Sequence, residues 1–448
     1  MTFPERRVLE IWQGSLQGRT DLVTEENEPV EIVYPGRLND DRGADLRDAV
    51  IATRQGRLKG DIEIHVKSSS WWAHRHHQDP AYNRVILHVV YWDDAGKAIV
   101  LQNGLKVPTL ALHNYIGTRI DRGITPVYSS VIPPLPCHSA GYRGNTGFTG
   151  KILDEAGEQR FLSGAARFQE EIRQSGAGQA LYRGIMTALG YSKNKEAMAE
   201  LSSRMPLRRL EAAVSDNTPD GECLARYQAR LMGGAGLLPS QRGVSYQPDR
   251  PADAWVANLE NIWAAFGETD RMSAGEWHFY KVRPGNYPSR RLAAMSYLLL
   301  RYRQKGLMAG IESSIQEAAI KNGGRSLEQS LLVNPDGYWG RYLDLGLPGA
   351  GIIPALLGRE RAADIVVNVL LPFAVVRSRT RAQPALAEQA LSIFRNYHIP
   401  AENALVKHMR KQMGIGRCLI DTARRQQGLI HIYKTLCSQG RCYECPLN

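Results

Sequence analysis

The sequence predicts an α+β protein in three stretches. A β-rich domain of mixed α/β sheet spans residues 1–125, a Pro/Gly-rich connection spans 126–160, and a basic, mostly α-helical domain spans 161–448 and ends in a cysteine cluster. Three observations carry this. Strand signals fill the first quarter of the chain and give way to helical spacing from about residue 161. Residues 1–150 hold 17 Lys and Arg against 17 Asp and Glu, so the whole formal charge of +11 falls after them. Four of the six cysteines, Cys418, Cys437, Cys442 and Cys445, lie in the last 31 residues. At 448 residues the chain exceeds the size at which one core keeps growing, which favours two domains.

The first element is a short helix at 4–13, where Val8, Ile11 and Trp12 recur at helical spacing beside Glu5 and Glu10. Strands follow at 30–34, 49–52, 62–66, 85–92 and 98–101, separated by turn chemistry at Pro35-Gly36, 55–60 and 93–96. Residues 124–150 are rich in Pro, Gly and Ser and lack a clear period. Helical spacing then marks 177–189, 195–204, 226–232, 252–265, 290–305 and 385–397. The longest apolar run, 365–376, is broken by Asn368 and Pro372 and falls short of the ~20 residues that cross a bilayer. No apolar run follows the basic pair Arg6-Arg7, so no secretory signal is visible and a cytoplasmic protein without membrane contact is expected. Six cysteines are too few for a disulfide scaffold, and their clustering favours metal. Cys137 and Cys223 stand alone and read as ordinary small residues.

The stretch with most chemistry is Gly60-Asp-Ile-Glu-Ile-His-Val-Lys67. In a strand, alternate residues share a face, which groups Asp61, Glu63, His65 and Lys67 against Ile62, Ile64 and Val66. Asp45, upstream in Gly43-Ala-Asp45, comes close to Glu63 if the two segments form a hairpin. Two adjacent carboxylates hold a divalent cation, Mg2+ or Mn2+, that lowers the pKa of bound water and offsets phosphate charge. A neighbouring Lys or His orients the water or stabilises the transition state. The bland alternative is a solvated sheet surface. Against it stand five of the 11 histidines, His65, His74, His76, His77 and His88, within 24 residues, together with Trp71, Trp72 and Asp79. Imidazoles with carboxylates make zinc or manganese the nearest competitor to magnesium, and the indoles suit shielding a site or stacking on a base.

Two resemblances attach to these residues. Gly60-Asp-Ile-Glu-Ile-His65, Trp72-x-His74-x-His76, Asp79-Pro80-x-Tyr82, Val85-Ile-Leu-His-Val-Val90, Arg283-Pro-Gly-Asn-Tyr-Pro288, Arg290-Arg-Leu-Ala293 and Arg424-Arg-Gln-Gln-Gly-Leu-Ile430 resemble the bacterial family domain of unknown function 2851, which brings no activity with it. The order helix Glu, Asp, hairpin, Glu-x-Lys is similar to the core of the PD-(D/E)xK nuclease superfamily. That resemblance implies a restriction-endonuclease-like fold with Glu10, Asp45 and Glu63 in catalytic positions. His65 stands where that pattern has Lys, and Lys67 is the next residue on the same face.

In the basic half, Arg283 precedes a helix that Ser289 would cap, and with Arg290 and Arg291 suits a phosphate. The alternative is a rigid interhelical turn. Arg424 and Arg425 add a second basic run beside the cysteines. Cys437-x4-Cys442-x2-Cys445-Pro446 has metal-knuckle spacing, for a [4Fe–4S] cluster or Zn2+. Cys418 supplies the fourth ligand if Gly428 breaks the intervening helix into a hairpin. No Walker loop, dinucleotide glycine motif or nucleophile elbow occurs, which argues against nucleotide-driven motors, Rossmann oxidoreductases and α/β-hydrolases. The expected function is a metal-dependent nuclease for DNA or RNA, with DNA favoured. Its catalytic set is Glu10, Asp45, Glu63, His65 and Lys67. A non-catalytic nucleic-acid-binding protein with structural metals and a zinc hydrolase of a small anionic substrate are the alternatives.

Overall fold

The computed structural model describes residues 4–14, 16, 19–115, 137, 146–244, 253–320 and 323–447. Apart from Cys137, residues 126–145 of the expected connection lie outside the described residues. From Thr146 onward that stretch is already the 30-residue helix Thr146–Ser175. The chain divides into two compact units, Met1–Gly157 with Glu402–Ile420 and Arg425–Asn448, and Glu158–Ala401 with Asp421–Arg424. The division thus differs from the expected one, because the closing segments fold with the N-terminal sheet.

In the first unit the helix α1 (Glu5–Gly14) is followed by β1 (Glu31–Tyr34), β2 (Arg37–Leu38), β3 (Leu46–Thr53) and β4 (Gly56–Lys67). The short helix α2 (Ser70–Ala73) and two single turns lead to β5 (Val85–Trp92), and after the small hairpin of β6 (Ile99–Val100) and β7 (Lys106–Val107) comes β8 (Thr109–Ala111). The main sheet runs β1-β3-β4-β5-β8, with β2 paired to β3. β3 and β4 form an antiparallel hairpin, while β4, β5 and β8 are parallel. The strand β4 begins at Gly56, so most of the turn expected at 55–60 is strand.

Both faces of this sheet are covered, and by different parts of the chain. Val8, Ile11 and Trp12 of α1 pack on Ile32, Ile51, Ile62, Ile64, Leu87 and Val89, each fully buried aliphatic side chain contributing roughly 1.5–3 kcal/mol. The indole of Trp12 donates to Pro35 O at 3.0 Å. On the other face, Tyr34 and Val50 pack with Val406, Met409, Leu429, Ile432, Tyr433 and Cys437 from the closing segments. A sheet buried on both sides needs such a second cover.

The hairpin carries one irregularity that matters for the site. Leu46 pairs with Ile62 but Ala49 pairs with Gly60, so β3 holds one extra residue in that interval. Asp48, in the left-handed region at φ +60°, takes up the bulge. Its N–H donates to Asp61 Oδ1 at 3.2 Å.

The second unit is helical around one apolar core. The helices Ala177–Leu189 and Lys195–Arg204 coincide with the spacing that predicts them. The apolar run 365–376 is buried, and a π-turn at Val366–Leu370 precedes Pro372. Proline lacks the N–H that an α-helix would need there, and a wider turn accommodates it. No helix among the described residues is long and apolar enough to cross a membrane.

Candidate metal centre

The polar face of β4 is interior. Asp61 and Glu63 are 5% exposed and His65 is 2% exposed, which overturns the solvated-surface alternative. The chain buries them because parallel pairing to β5 (Glu63 opposite His88, His65 opposite Val90) brings a crossover over that face. The crossover contains Trp71, fully buried, whose ring packs against His76 at 5.3 Å and His88 at 5.5 Å between centroids. Trp71 therefore shields the site and has no face free for a base.

Asp45 and Glu63 interlock through the backbone. The Asp45 N–H donates to Glu63 Oε2 at 3.1 Å, and the Ile64 N–H donates to Asp45 Oδ2 at 3.0 Å. Asp45 sits at the rim with its carboxylate turned inward. Desolvation there, and then the Glu63 charge, raise it to about 7. Burial raises Glu63 to about 8, against the pull of the Asp45 N–H bond.

Three imidazoles close over this pair. His65 Nε2 lies 3.2 Å from His74 Nδ1 and 3.5 Å from Glu63 Oε1, and His76 Nε2 lies 3.2 Å from the same Glu63 oxygen. The ligand atoms of His65, His74 and His76 all fall within 4.8 Å of one another. His74 and His76 converge because Arg75 between them is left-handed at φ +60°, a conformation costly for a non-glycine residue. His76 Nε2 is buried without an aligned hydrogen-bond partner, as are His88 Nδ1 and Trp71 Nε1. The His65 ring is fixed from behind by His88, Nδ1 to Nε2 at 2.8 Å. Burial, then His76 and His74, lower His65 to about 3, so its ring is neutral and not a cation.

This donor set fits a metal ion. Ligands at about 2.1 Å around a tetrahedral ion stand roughly 3.4 Å apart, the range of the three separations above. Glu63 with His65, His74 and His76 would hold it, with His88 orienting His65 from the second layer. Three nitrogens and one carboxylate suit Mn2+ or Zn2+ better than Mg2+, which takes oxygen ligands.

Several expected residues lie elsewhere. Glu10 is on the outer face of α1, paired with Arg6 at 3.3 Å and Arg7 at 3.0 Å. The helix carboxylate whose field reaches Asp45, Glu63 and His76 is Glu5, and only its place in the first helical turn could have singled it out. Lys67 is past the buried part of β4, exposed and 3.8 Å from Asp94. Asp61 faces Arg84 at 3.7 Å. Asp79 caps Ala81 N and pairs with Arg42.

The arginines expected to bind phosphate are largely engaged within the protein. Arg290 is fully buried and donates to the carbonyls of Tyr342 and Pro354, both at 2.6 Å. Arg291 donates to the Leu356 carbonyl and to Gly285 O and Asn286 Oδ1. The pair thus fastens an interhelical turn, and burial lowers both. Ser289 is buried without a cap bond, and Tyr287 holds the N-cap position of the helix Pro288–Arg301. Arg424 pairs with Glu158 at 2.7 Å, and Arg425 with Asp154 at 3.2 Å. Arg283 is exposed.

The expected cysteine geometry also changes. Gly428 does not break a helix. It lies inside the continuous helix Ala423–Thr435, where an added Cβ would stand 2.1 Å from Leu153 O. Cys418 and Cys437 are therefore at opposite ends of that helix, and Cys418 is exposed.

Taken by fold and site, this is an α+β protein with a histidine–carboxylate cluster inside its N-terminal unit. The chain belongs to the family described as protein of unknown function (DUF2851), whose model matches residues 5–404. No curated protein and no solved structure matches it.

Proposed function

We propose that the N-terminal unit is a metal-dependent phosphodiester hydrolase acting on nucleic acid, DNA before RNA. The observation that carries this reading is the interlocked Asp45–Glu63 pair lying against the His65–His74–His76 group. Supporting it, a helix precedes a β-hairpin with Asp45 at the head of one strand and Glu63 on the next, and a parallel crossover follows. That order is the one expected of a restriction-endonuclease-like core. When bound, a Mn2+ or Zn2+ ion supplies Lewis acidity to a phosphoryl oxygen and lowers the pKa of a water molecule. Glu63, His65, His74 and His76 hold it. Asp45, interlocked with Glu63 on the open side of the group, is placed to take the proton of the attacking water. His74 and Asp45, the two exposed members of the group, mark its open side. The excess of positive charge beyond residue 150 supports a polyanionic substrate.

The test uses the full chain, stripped of metal and reloaded separately with Mn2+, Zn2+ and Mg2+, on single- and double-stranded DNA and on RNA. Mn2+ or Zn2+ should restore cleavage. Glu63→Gln should lose the metal. Asp45→Asn should keep it and lose turnover by about 10²–10⁴-fold. Full activity in Asp45→Asn, or no cleavage of any polynucleotide with any of the three ions, would overturn the reading. Three converging imidazoles also favour a second reading, a zinc hydrolase of a small anionic ester. Turnover of a small aryl phosphodiester with none of polynucleotides would establish that reading instead.

A further inference from the structure

With Cys418 exposed beyond the far end of the helix, the C-terminal Cys-x4-Cys-x2-Cys run would be one ligand short. The folded chain supplies another cysteine from the opposite direction in sequence. The buried amide of Gln412 donates to Cys137 Sγ at 3.4 Å and reaches Cys437 Sγ at 3.8 Å, so one side chain touches both sulfurs. Cys137 and Cys445 pack against the same apolar cluster that holds Cys437, Tyr433 and Leu447. Each of Cys437, Cys442 and Cys445 feels the charge of Cys137, and Cys437 feels those of Cys442 and Cys445 as well. The six cysteines are free thiols. Thiolates gathered in an apolar pocket are stable only when a metal takes up their charge.

The loop that carries three of them is shaped for the place. Cys437–Gln439 and Cys442–Glu444 are single tight turns joined through Gly440, left-handed at φ +64°. A Cβ at Gly440 would meet Val50 Cγ1 at 2.9 Å and Val33 Cγ1 at 3.0 Å, so only glycine lets the loop lie this close to β1 and β3. Arg57 from β4 donates to Gly440 O at 3.2 Å.

We propose that Cys137, and not Cys418, completes a four-thiolate site with Cys437, Cys442 and Cys445, and that this site holds a [4Fe–4S] cluster. The cluster is taken over a single zinc ion because the cysteines do not form a close group of ligand atoms and because a proline, Pro446, follows the last of them. Among the described residues only the histidine group draws three ligand atoms within 4.8 Å. Thiolates on one tetrahedral zinc stand about 3.8 Å apart, whereas a cubane spreads its four ligands wider. On assembly, each thiol gives up its proton as its sulfur displaces one thiolate of a cluster donor from an iron of the [4Fe–4S]2+ unit, and the displaced donor thiolate takes up a proton. No oxidation state changes. The Gln412 amide then donates to sulfur, an interaction that tunes such clusters. The site ties the chain end to the sheet.

The experiment is anaerobic purification of the full chain, with iron, sulfide and zinc analysis, a visible spectrum, and alkylation of the native protein read by mass spectrometry. We expect a brown protein with about four iron and four sulfide per chain. Native alkylation should modify Cys418 and spare Cys137, Cys437, Cys442 and Cys445, and extraction of the iron should open those four to the reagent. Cys418→Ser should keep the colour and Cys137→Ser should lose it. Stoichiometric zinc in place of iron, a brown Cys137→Ser protein, or alkylation of Cys137 in the brown parent would each overturn the proposal. The alkylation arm uses only the parent protein, so a Cys137→Ser chain that fails to fold does not blunt the test.

Discussion

His408 illustrates how a single side chain links folding to pH in the first unit. Its Nε2 meets the Tyr34 hydroxyl at 2.7 Å, and its ring lies edge-on to Tyr34 and Tyr433. Burial, then the nearby Arg37 charge, lower it from 6.5 to about 4. The folded chain therefore refuses a proton that the unfolded chain accepts below pH 6.5. Stability from this group is fully present above 6.5 and is lost as pH falls toward 4. Urea denaturation of the full chain between pH 7.5 and 4.5 should show that decline, and His408→Gln should make it shallower. An unchanged profile in the variant would remove His408 as the cause. The same residue scale explains why Arg290 and Arg291 were misleading in the sequence. An arginine in the first turn of a helix reads the same whether its guanidinium meets a phosphate or three carbonyls. Only the positions of Tyr342, Pro354 and Leu356 decide it.

At the scale of elements, close approach of backbones does work that apolar spacing does not reveal. The helix Ala423–Thr435 crosses Thr146–Ser175 at Gly428, against the Leu153 carbonyl. Gly428→Ala forces the two helices apart, at about 3 kcal/mol for overpacking. Limited proteolysis should then cut between residues 436 and 447 first, with the helices of the second unit still protected. Equal resistance in parent and variant would show that the contact is slack. A glycine within helical spacing is ambiguous between a break and a contact, and the helix is broken only if nothing presses on it. The hairpin of β3 and β4 was legible from the alternation in 61–67. The bulge at Asp48 was not, because an extra residue on one strand is defined only by its partner.

On the scale of the whole chain, the first unit is discontinuous. The residues 402–420 and 425–448 cover Tyr34 and Val50 and carry Tyr433, whose hydroxyl donates to Asp48 Oδ2 at 2.9 Å. The Asp48 N–H in turn holds Asp61, two residues from Glu63. A chain ended at Ala401 should expose that sheet face. We expect a lower melting temperature, dye binding typical of exposed apolar surface and a loss of metal from the histidine group. A truncated chain as stable and as metal-loaded as the parent would show that the sheet stands without its second cover.

The sequence by itself determined what depends on neighbours along the chain. The helices Ala177–Leu189 and Lys195–Arg204, the strand Val85–Trp92 and the grouping of Asp61, Glu63 and His65 all follow from a period of 3.6 or 2. The crowding of five histidines into 24 residues was equally plain. Only the tertiary structure decided which of these side chains meet. It turned Glu10 and Lys67 outward, let the charge of Glu5 reach Asp45 and Glu63, and set Cys137, 300 residues from Cys437 along the chain, on the same Gln412 amide as Cys437. Local periodicity reports which face of an element a residue occupies. What stands opposite that face is set by how the covered surfaces pack, and that information is spread over the whole chain.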